Sequence, residues 1–256
     1  MERPIITLIS DWGWEDVSLG LMKWELQKRV PDAFMVDLMH DVELLDVGQT
    51  AFIMSRLYER FPSGSVHLML TGVSRWTVEN LVAVQAEGHY FVGIDNGVLP
   101  SILPDGKLRV RRWIGEGSDC LEQMCLLAEA CLAGRFEEVT QDTQLSEAGF
   151  LLRYAYNEGK MELRGNVMYI DCHHNVVTNI PAEIFKGFLE DYSFELVVSG
   201  FSIRKFHERY EQDCEPYLVP NALGVLEIVS YGARLVIVPR WQKNQEIIIK
   251  FSKSNN

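Results

Sequence analysis

Short apolar runs alternate with amphipathic segments over the first half of the chain. The run at residues 5–10 is followed by Asp11 and Gly13, which is typical of a strand that ends in a polar turn. Apolar residues then recur three or four positions apart and predict a helix over 16–28. Strands that alternate with helices are typical of a mainly parallel sheet covered on both faces. The predicted strands are 5–10, 34–38, 66–71, 81–85 and 90–94, and the predicted helices are 16–28, 45–58 and 119–132.

The second half of the chain has a different pattern, with many short apolar or alternating runs and one helical candidate at 181–189. Many short strands predict a small antiparallel barrel or sandwich. The predicted strands of this half are 161–163, 167–171, 194–198, 217–219, 225–229, 235–238 and 247–251.

The change of pattern divides the chain into two predicted domains. The boundary falls between Gly134 and Gly159, in a stretch rich in Glu, Gln and Thr. We expect an α/β fold, with an N-terminal domain containing a mixed or parallel sheet over 1–150 and a smaller antiparallel β-barrel-like domain over 160–256. A chain of 256 residues is long enough to build both cores.

The net charge of −12 argues against a nucleic-acid partner, because phosphate backbones are bound by basic surfaces. An acidic surface mostly serves solubility, although it could also favour a cationic ligand such as a sulfonium. No apolar run approaches the ~20 residues that span a bilayer, and no signal-peptide pattern opens the chain. We expect a cytoplasmic protein without a membrane partner.

Metal ions and nucleotide cofactors have no motif in this sequence. The five cysteines are odd in number and form no Cys-x-x-Cys pair, so reduced thiols are the simplest account. The adjacent His173 and His174 would point to opposite faces of a strand and would rarely share one ion. Neither a Gly-x-Gly-x-x-Gly pattern nor a Walker loop is present. We expect no metal and no cofactor.

Several short blocks, in a fixed order along nearly the whole chain, give a more specific indication. They are residues 5–13, Val36-Asp37, 61–67, Asp95-Asn96-Gly97, 170–180 and 221–228. In this order and at these separations the blocks resemble the S-adenosyl-L-methionine (SAM) hydroxide adenosyltransferase family, which includes the SAM-dependent halogenases. The resemblance implies a fold and a ligand, and each matching position implies a role.

The first block contains Asp11, Asp16 and Ser18. From spacing alone, the two aspartates could simply cap the helix that follows. The resemblance implies instead that the Asp11 carboxylate accepts hydrogen bonds from the ribose 2′,3′-diol. It also implies that Asp16 and Ser18 contact the amino-acid end of SAM, a role that the residues themselves leave open beside helix capping.

The second half carries the matches at Asp171 and Asn175, where the family pattern is Asp-x-Phe-Gly-Asn followed by Thr-Asn-Ile. The resemblance implies that the Asn175 amide pairs with the edge of adenine and that the ring at 173 stacks near it. His173 replaces the Phe and can still stack. His174 replaces the Gly, and a residue with a Cβ tolerates a positive φ poorly.

The block that begins at Asn221 resembles the Asn-Ser-x-Gly segment that cradles the methionine carboxylate in the family. Ala222 replaces the Ser, so one charge-assisted hydrogen bond, worth about 1.5–3 kcal/mol, is lost. The resemblance therefore implies a substrate-binding set of Asp11, Asp16, Ser18, Asp171, His173, Asn175 and Asn221.

The family's proposed catalytic Asp-Arg-His set is not retained. Gly72 stands where the Asp is expected, Glu79-Asn80 where the Arg is expected, and residues 118–122 lack the His. No catalytic residue is therefore assigned. Glu79, Arg75 and Asp119 are the nearby candidates for positioning a water molecule.

Three hypotheses follow. The first is hydrolysis of SAM to adenosine and L-methionine by attack of water at C5′. The second is a degenerate homologue that binds SAM or a nucleoside without hydrolysing it, and the third is a structural homologue with an empty cleft. The resemblance also implies a homotrimer, with each pocket formed by the first domain of one subunit and the second domain of its neighbour. For Trp12, Trp14 and Trp76 beside these loops, packing or an interface is the commoner role than a cation–π contact.

Overall fold

The computed structural model describes residues 3–73, 80–102, 107–117, 119–146, 153–198, 201–231 and 241–253. The strand predicted at 235–238 lies outside these ranges. The chain divides into two compact units, Met1–Leu151 and Leu152–Asn256. Within the described ranges, no helix is long and apolar enough to cross a bilayer.

The first unit is built on a seven-stranded sheet with the order β2-β1-β3-β5-β4-β6-β7. Its strands are β1 (Ile5–Ile9), β2 (Phe34–Met39), β3 (Val66–Met69), β4 (Leu81–Ala86), β5 (His89–Ile94), β6 (Arg109–Trp113) and β7 (Thr140–Asp142). The pairs β1–β2, β1–β3 and β3–β5 are parallel. The remaining pairs are antiparallel, so the sheet is mixed.

Helices cover this sheet. They are α1 (Val17–Arg29), α2 (Val47–Leu57), α3 (Val98–Ile102) and α4 (Cys120–Leu132), with a 3-10 turn at Tyr58–Arg60. Ile6 and Leu8 of β1 share one apolar cluster with α1 and α4, while Thr7 and Ile9, which alternate with them, are also buried. Burial of both sets indicates cover on both faces of β1. The cysteines on α4 are core residues, and burial raises the pKa of Cys125 to about 12.

Aspartates set the starts of three helices. Asp16, Asp46 and Asp119 are the N-cap residues of α1, α2 and α4, and each carboxylate accepts a backbone N–H at 2.7–3.0 Å. The end of α4 is followed by Gly134 with φ +69°, the left-handed conformation that a helix C-cap commonly needs. These caps explain why α1 and α4 begin one residue later than predicted.

The second unit is an antiparallel sheet with the order β12-β11-β15-β9-β10-β14-β13, and β8 pairs with β9. Its elements are β8 (Ala155–Asn157), β9 (Glu162–Ile170), β10 (Val176–Pro181), α5 (Ala182–Leu189), β11 (Tyr192–Val198), β12 (Phe201–Ile203), β13 (Tyr217–Pro220), β14 (Val225–Val229) and β15 (Glu246–Lys253). A bridge between Phe206 and Leu218 brings the two ends of this path together. The sheet is thus a nearly closed barrel, and the predicted fold class is confirmed.

One strand of the barrel corrects the sequence interpretation. The runs predicted at 161–163 and 167–171 as two strands are the single strand β9. Gly165 lies between them, and a Cβ there would come within 2.4 Å of Ile180 Cγ1. The polar and glycine residues therefore mark a close approach of β10 rather than a break in the strand.

Candidate ligand-binding residues

Asp11 lies just beyond the carboxyl end of β1, between the neighbouring parallel strands β2 and β3. Its Oδ2 accepts the backbone N–H of Leu45 at 2.9 Å and the backbone N–H of Gly72 at 3.0 Å. One carboxylate therefore joins the segments that follow three adjacent strands. Ligands of such sheets gather at this edge. Asp11 is not a helix cap, so the capping alternative for this residue is wrong.

Both amide donors to Asp11 belong to residues in the left-handed region. Leu45 has φ +63° and Gly72 has φ +71°. A non-glycine residue in this region is uncommon, and such strain is characteristic of functional sites. Leu45 is thus held in an unfavourable conformation, whereas Gly72 adopts the same region without strain, and both N–H groups point at one carboxylate.

Gly72 is the residue at which the sequence led us to expect the family's aspartate, and its surroundings are tight for a side chain. A Cβ at this position would lie 3.3 Å from Asn96 Nδ2 and 3.4 Å from Leu45 Cδ2. Its positive φ adds a second penalty for any L-residue. A side chain at this position would therefore require Asn96 and Leu45 to shift.

Asp16 and Ser18 lie at the start of α1. The Asp16 carboxylate accepts the Ser18 backbone N–H at 2.7 Å, which is a helix cap. Asp16 is exposed and Ser18 is half-buried. Helix capping therefore describes the observed contact of Asp16.

In the second unit, Asp171 organises the turn between β9 and β10. Its Oδ1 accepts the backbone N–H groups of His173 and Asn175, both at 2.8 Å, and its Oδ2 accepts the Asn175 side-chain amide at 3.0 Å. His174 adopts φ +65°. Histidine enters this region more readily than most residues, so the turn keeps its left-handed position without the family's glycine.

The two histidines of this turn are exposed. Among the residues that the structure describes, no group of three or more His, Cys, Asp or Glu side chains could hold a metal ion. His173 lies beside Asn175 in the turn, where its ring is accessible for stacking on a planar ligand.

Asn221 shapes the turn between β13 and β14. Its Oδ1 accepts the backbone N–H of Leu223 at 2.9 Å, and its Nδ2 donates to Glu227 Oε2 at 3.0 Å. Gly224 completes the turn with φ +75°. The Asn221 amide is thus engaged within its own turn and strand.

Glu227 is a buried acid to which the sequence analysis assigned no role. Tyr210 also donates to its Oε2, at 3.2 Å. Burial raises the pKa of Glu227, repulsion from Asp171 raises it too, and hydrogen bonds from Asn221, Tyr210 and Asn175 only partly oppose this. Its sequence signal is a single acid in the otherwise apolar strand β14.

Of the three candidates for positioning water, only Asp119 lies within the described residues. Arg75 and Glu79 lie outside these residues, and so does Trp76, one of the three tryptophans beside the loops. Asp119 is the N-cap of α4, where it accepts the Glu122 backbone N–H at 3.0 Å. Trp12 is half-buried and its indole N–H donates to the Val73 carbonyl at 3.3 Å, a packing contact.

Solved structures share this fold. An uncharacterized conserved protein from Thermotoga maritima matches with a TM-score of 0.81 and 22% identity, over 96% of this chain and 99% of that chain. A conserved hypothetical protein from Thermus thermophilus matches with a TM-score of 0.70 and 20% identity, over 98% and 100% of the two chains.

Two models of protein domain families match this chain and assign it to a family. The SAM hydroxide adenosyltransferase N-terminal domain matches residues 6–116, and the C-terminal domain of the same family matches residues 165–236. The chain belongs to the SAM hydroxide adenosyltransferase family, as its sequence blocks indicated.

Two curated proteins are similar to this chain, and both are named (R)-S-adenosyl-L-methionine hydrolase. The protein from Methanocaldococcus jannaschii is 23% identical over 191 residues, which is 70% of this chain and 68% of the relative. The protein from Thermus thermophilus is 32% identical over 96 residues, or 38% of this chain and 37% of the relative.

Proposed function

We propose that this protein hydrolyses SAM to adenosine and L-methionine by attack of water at the ribose C5′. Family membership and two relatives named as SAM hydrolases support the proposal. The observation that carries it is the Asp11 carboxylate, held in place by two backbone amides at the carboxyl edge of a parallel strand triplet.

Asp11 is suited to a vicinal diol. A carboxylate has about four acceptor positions, and the Leu45 and Gly72 amides both use Oδ2. The other oxygen is left to accept the ribose hydroxyls. Because the carboxylate is already oriented, little side-chain entropy is lost when the sugar binds.

Asn175 is proposed to recognise adenine by hydrogen bonding. Asp171 takes one of its side-chain N–H groups and thereby orients the amide. The amide also donates to Glu227, so its carbonyl oxygen is left to accept the amino group of adenine. In this proposal Asp171 is a positioning residue and His173 stacks on the base.

The amino-acid end of SAM is assigned to Asp16, Ser18 and the Asn221 turn. The Asp16 carboxylate would attract the ammonium group, and Ser18 offers a hydroxyl beside it. Asn221 acts by holding its turn, since its amide is bonded to Leu223 and Glu227. The methionine carboxylate would then meet backbone N–H groups of this turn.

The chemistry makes few demands on the protein. SAM carries its own leaving group, since the sulfonium departs as neutral methionine. The protein has to hold a water molecule in line with the C–S bond and keep bulk solvent away. We propose no metal and no cofactor for this step.

A SAM- or nucleoside-binding protein without hydrolase activity is the second candidate, and Gly72 favours it. A Cβ at Gly72 would lie 3.3 Å from Asn96 and 3.4 Å from Leu45, so a side chain such as the family's aspartate would require these neighbours to shift. Residues 118–122 contain no histidine. Ribose and adenine contacts would remain in such a protein, while the water would lack its usual partners.

We also propose a homotrimer in the cytoplasm. The supporting observation is an exposed apolar face on and beside α1, formed by Trp14, Val17, Leu21 and Trp24, which are 54–75% exposed. Apolar faces of this kind commonly mark interfaces between proteins. Sedimentation equilibrium gives the mass directly, and a monomer at all concentrations would remove this part of the proposal.

The test of function has two stages. The first measures binding of SAM, adenosine and methionine separately by calorimetry, and the second measures adenosine released from SAM by liquid chromatography. Adenosine release that is lost in the Asp11→Asn variant supports hydrolysis. Binding without release supports the second candidate. If neither SAM nor adenosine binds, both candidates are wrong.

A further inference from the structure

A chain of polar side chains runs from α1 to the residue before Asp11, and the proposed function does not use it. Ser10 Oγ lies 2.7 Å from His40 Nδ1, and His40 Nε2 lies 3.1 Å from Asp37 Oδ1. The second oxygen of Asp37 pairs with Lys23 Nζ at 2.6 Å. Ser10 and His40 are fully buried.

The direction of each hydrogen bond follows from the charge of Asp37. Burial opposes its ionisation, but hydrogen bonds from Lys23 and His40 outweigh burial and lower the pKa of the carboxyl. An ionised carboxylate only accepts, so His40 carries its proton on Nε2. In the neutral ring Nδ1 is then an acceptor, and the Ser10 hydroxyl donates to it.

An irregularity in strand pairing puts Ser10 opposite His40. Leu8 pairs with Asp37, but Ile9 pairs with Met39, so β2 contains one extra residue at this point. The bulge advances β2 by one position relative to β1. The residues that follow the last pair, Ser10 and His40, therefore come side by side.

His40 holds the Asp11 loop at both of its ends. The ring is bonded to Ser10, and the His40 carbonyl accepts the Gly13 backbone N–H at 2.7 Å. Ser10 is also bonded through its backbone, as its N–H donates to the Met39 carbonyl at 2.9 Å. Asp11 lies between these two fixed points.

From this geometry we infer that His40 is a positioning residue for Asp11. Its ring fixes the Ser10–Gly13 loop so that the Asp11 carboxylate reaches the Leu45 and Gly72 amides and meets a sugar diol without rearrangement. The part of this inference that concerns the diol rests on the proposed function. The part that concerns the two amides does not.

The chain offers a matched control in His67. Its Nδ1 lies 2.8 Å from Oγ1 of Thr7 in β1, so His67, like His40, is a fully buried histidine bonded to a hydroxyl group. Its other ring nitrogen faces His89, at 3.1 Å, rather than a loop that carries a candidate ligand residue. Changes at either histidine would lower stability, so a loss of stability by itself does not identify a positioning role.

Two substitutions separate the two sides of the His40 ring. An asparagine amide reaches about as far as Nδ1, so His40→Asn retains an acceptor for Ser10 and loses Asp37. A glutamine amide reaches about as far as Nε2, so His40→Gln retains a donor to Asp37 and loses Ser10. Ser10→Ala removes the same contact without changing the ring, and it serves if His40→Gln does not fold.

The variants are compared by calorimetry with adenosine, by hydrogen exchange of the Leu45 and Gly72 amides, and by thermal unfolding. We expect His40→Gln and Ser10→Ala to weaken adenosine binding about tenfold and to speed exchange of both amides about tenfold, the effect of one lost buried hydrogen bond. For His40→Asn, the adenosine affinity and the exchange rates of the two amides should stay within about threefold of the wild-type values. His67→Asn should lower the melting temperature but leave the adenosine affinity and the exchange rates of the two amides at wild-type values.

The outcomes distinguish this inference from the proposed function. If wild-type protein binds neither adenosine nor SAM, the proposed function fails and the amide exchange still decides the role of His40. Unchanged exchange of Leu45 and Gly72 in His40→Gln and Ser10→Ala overturns the inference. It is also overturned if His67→Asn speeds exchange of these amides as much as His40→Gln does.

Discussion

Asp11 Oδ2 accepts the Gly72 backbone N–H at 3.0 Å. The contact joins the residue proposed to bind the ribose with the position at which the sequence resemblance led us to expect an aspartate. A glycine backbone, and not a second carboxylate, therefore faces Asp11. The Gly72 N–H helps to hold the Asp11 side chain in place.

Asp11→Asn should weaken adenosine binding about tenfold or more, because a charge-assisted hydrogen bond to the diol, worth about 1.5–3 kcal/mol, is lost. The asparagine can still accept the two backbone amides, so the melting temperature should change little. Calorimetry with adenosine measures the effect. The control is Asp16→Asn, since asparagine caps a helix as well as aspartate does. Asp16→Asn should bind adenosine normally and SAM more weakly, and equal losses of adenosine affinity in both variants would contradict the assignment.

Gly72→Ala should destabilise the first unit more than Gly64→Ala does. Both glycines have positive φ, but a Cβ at Gly64 has nothing within 4 Å, whereas a Cβ at Gly72 meets Asn96 at 3.3 Å. The backbone penalty of about 1 kcal/mol is common to both, and the contact adds to it only at Gly72. Urea unfolding of the two variants measures the difference. Equal losses of stability would show that the space around Gly72 relaxes.

Buried His67 should make the protein less stable in mild acid. Burial lowers the pKa of His67 to about 3, and the neighbouring His89 contributes to the same shift. Because the unfolded value is about 6.5, the unfolded chain takes up a proton below pH 6.5 that the native state refuses until about pH 3. The contribution of His67 is thus complete above pH 6.5 and falls by at most ~1.4 kcal/mol per pH unit as the pH decreases.

The measurement for this prediction is urea unfolding at pH 7.5 and pH 5. His67→Asn removes the titrating group, so its free energy of unfolding should fall less between the two pH values than that of the wild type. A parallel decrease in the two proteins would show that other groups cause the acid sensitivity.

Glu227 should act in the opposite direction. Its raised pKa means that the native state holds a proton which the unfolded chain has already released, so stability from Glu227 is complete below the unfolded pKa and is lost as pH rises through the folded pKa. Glu227→Gln keeps an acceptor for Asn221 and Tyr210 but does not titrate. The stability of this variant relative to wild type should therefore increase with pH.

Denaturant unfolding of Glu227→Gln and wild type at several pH values from 4.5 upward tests this prediction. Glu195→Gln is a suitable control, because hydrogen bonds from Ser202 and Arg204 outweigh burial and lower the pKa of that partly exposed acid. A stability difference for Glu227→Gln that does not change with pH would show that the buried acid titrates normally.

Local patterns account for the parts of the structure that were predicted well. The strands that became β1, β5 and β14 and the helices α1 and α4 follow from hydrophobic periodicity and from the caps Asp16 and Asp119. Short charged strands were missed. The segment that forms β6 contains three arginines in five residues, and it is a strand because its backbone pairs with β4 and β7.

The candidate site divides in the same way. The residues Asp11, Asp171 and Asn175 were named as candidates from the sequence, because each lies in a short block of matching residues that are close together in the chain. Glu227 gave only a weak signal, a lone acid in an apolar strand. His40 gave none, because its partners Ser10 and Asp37 become neighbours only through strand pairing and a bulge.

The sequence by itself determined the long apolar strands, the helices α1 and α4 and the family, because each of these depends on patterns within short stretches of the chain. Only the tertiary structure decided that Asp11 is held by Leu45 and Gly72, and that His40 is bonded to Ser10 and Gly13 on either side of Asp11. The physical reason is that each of these contacts joins segments brought together by the register of β1 with β2 and β3. A shift of one residue in that register would separate every one of these pairs.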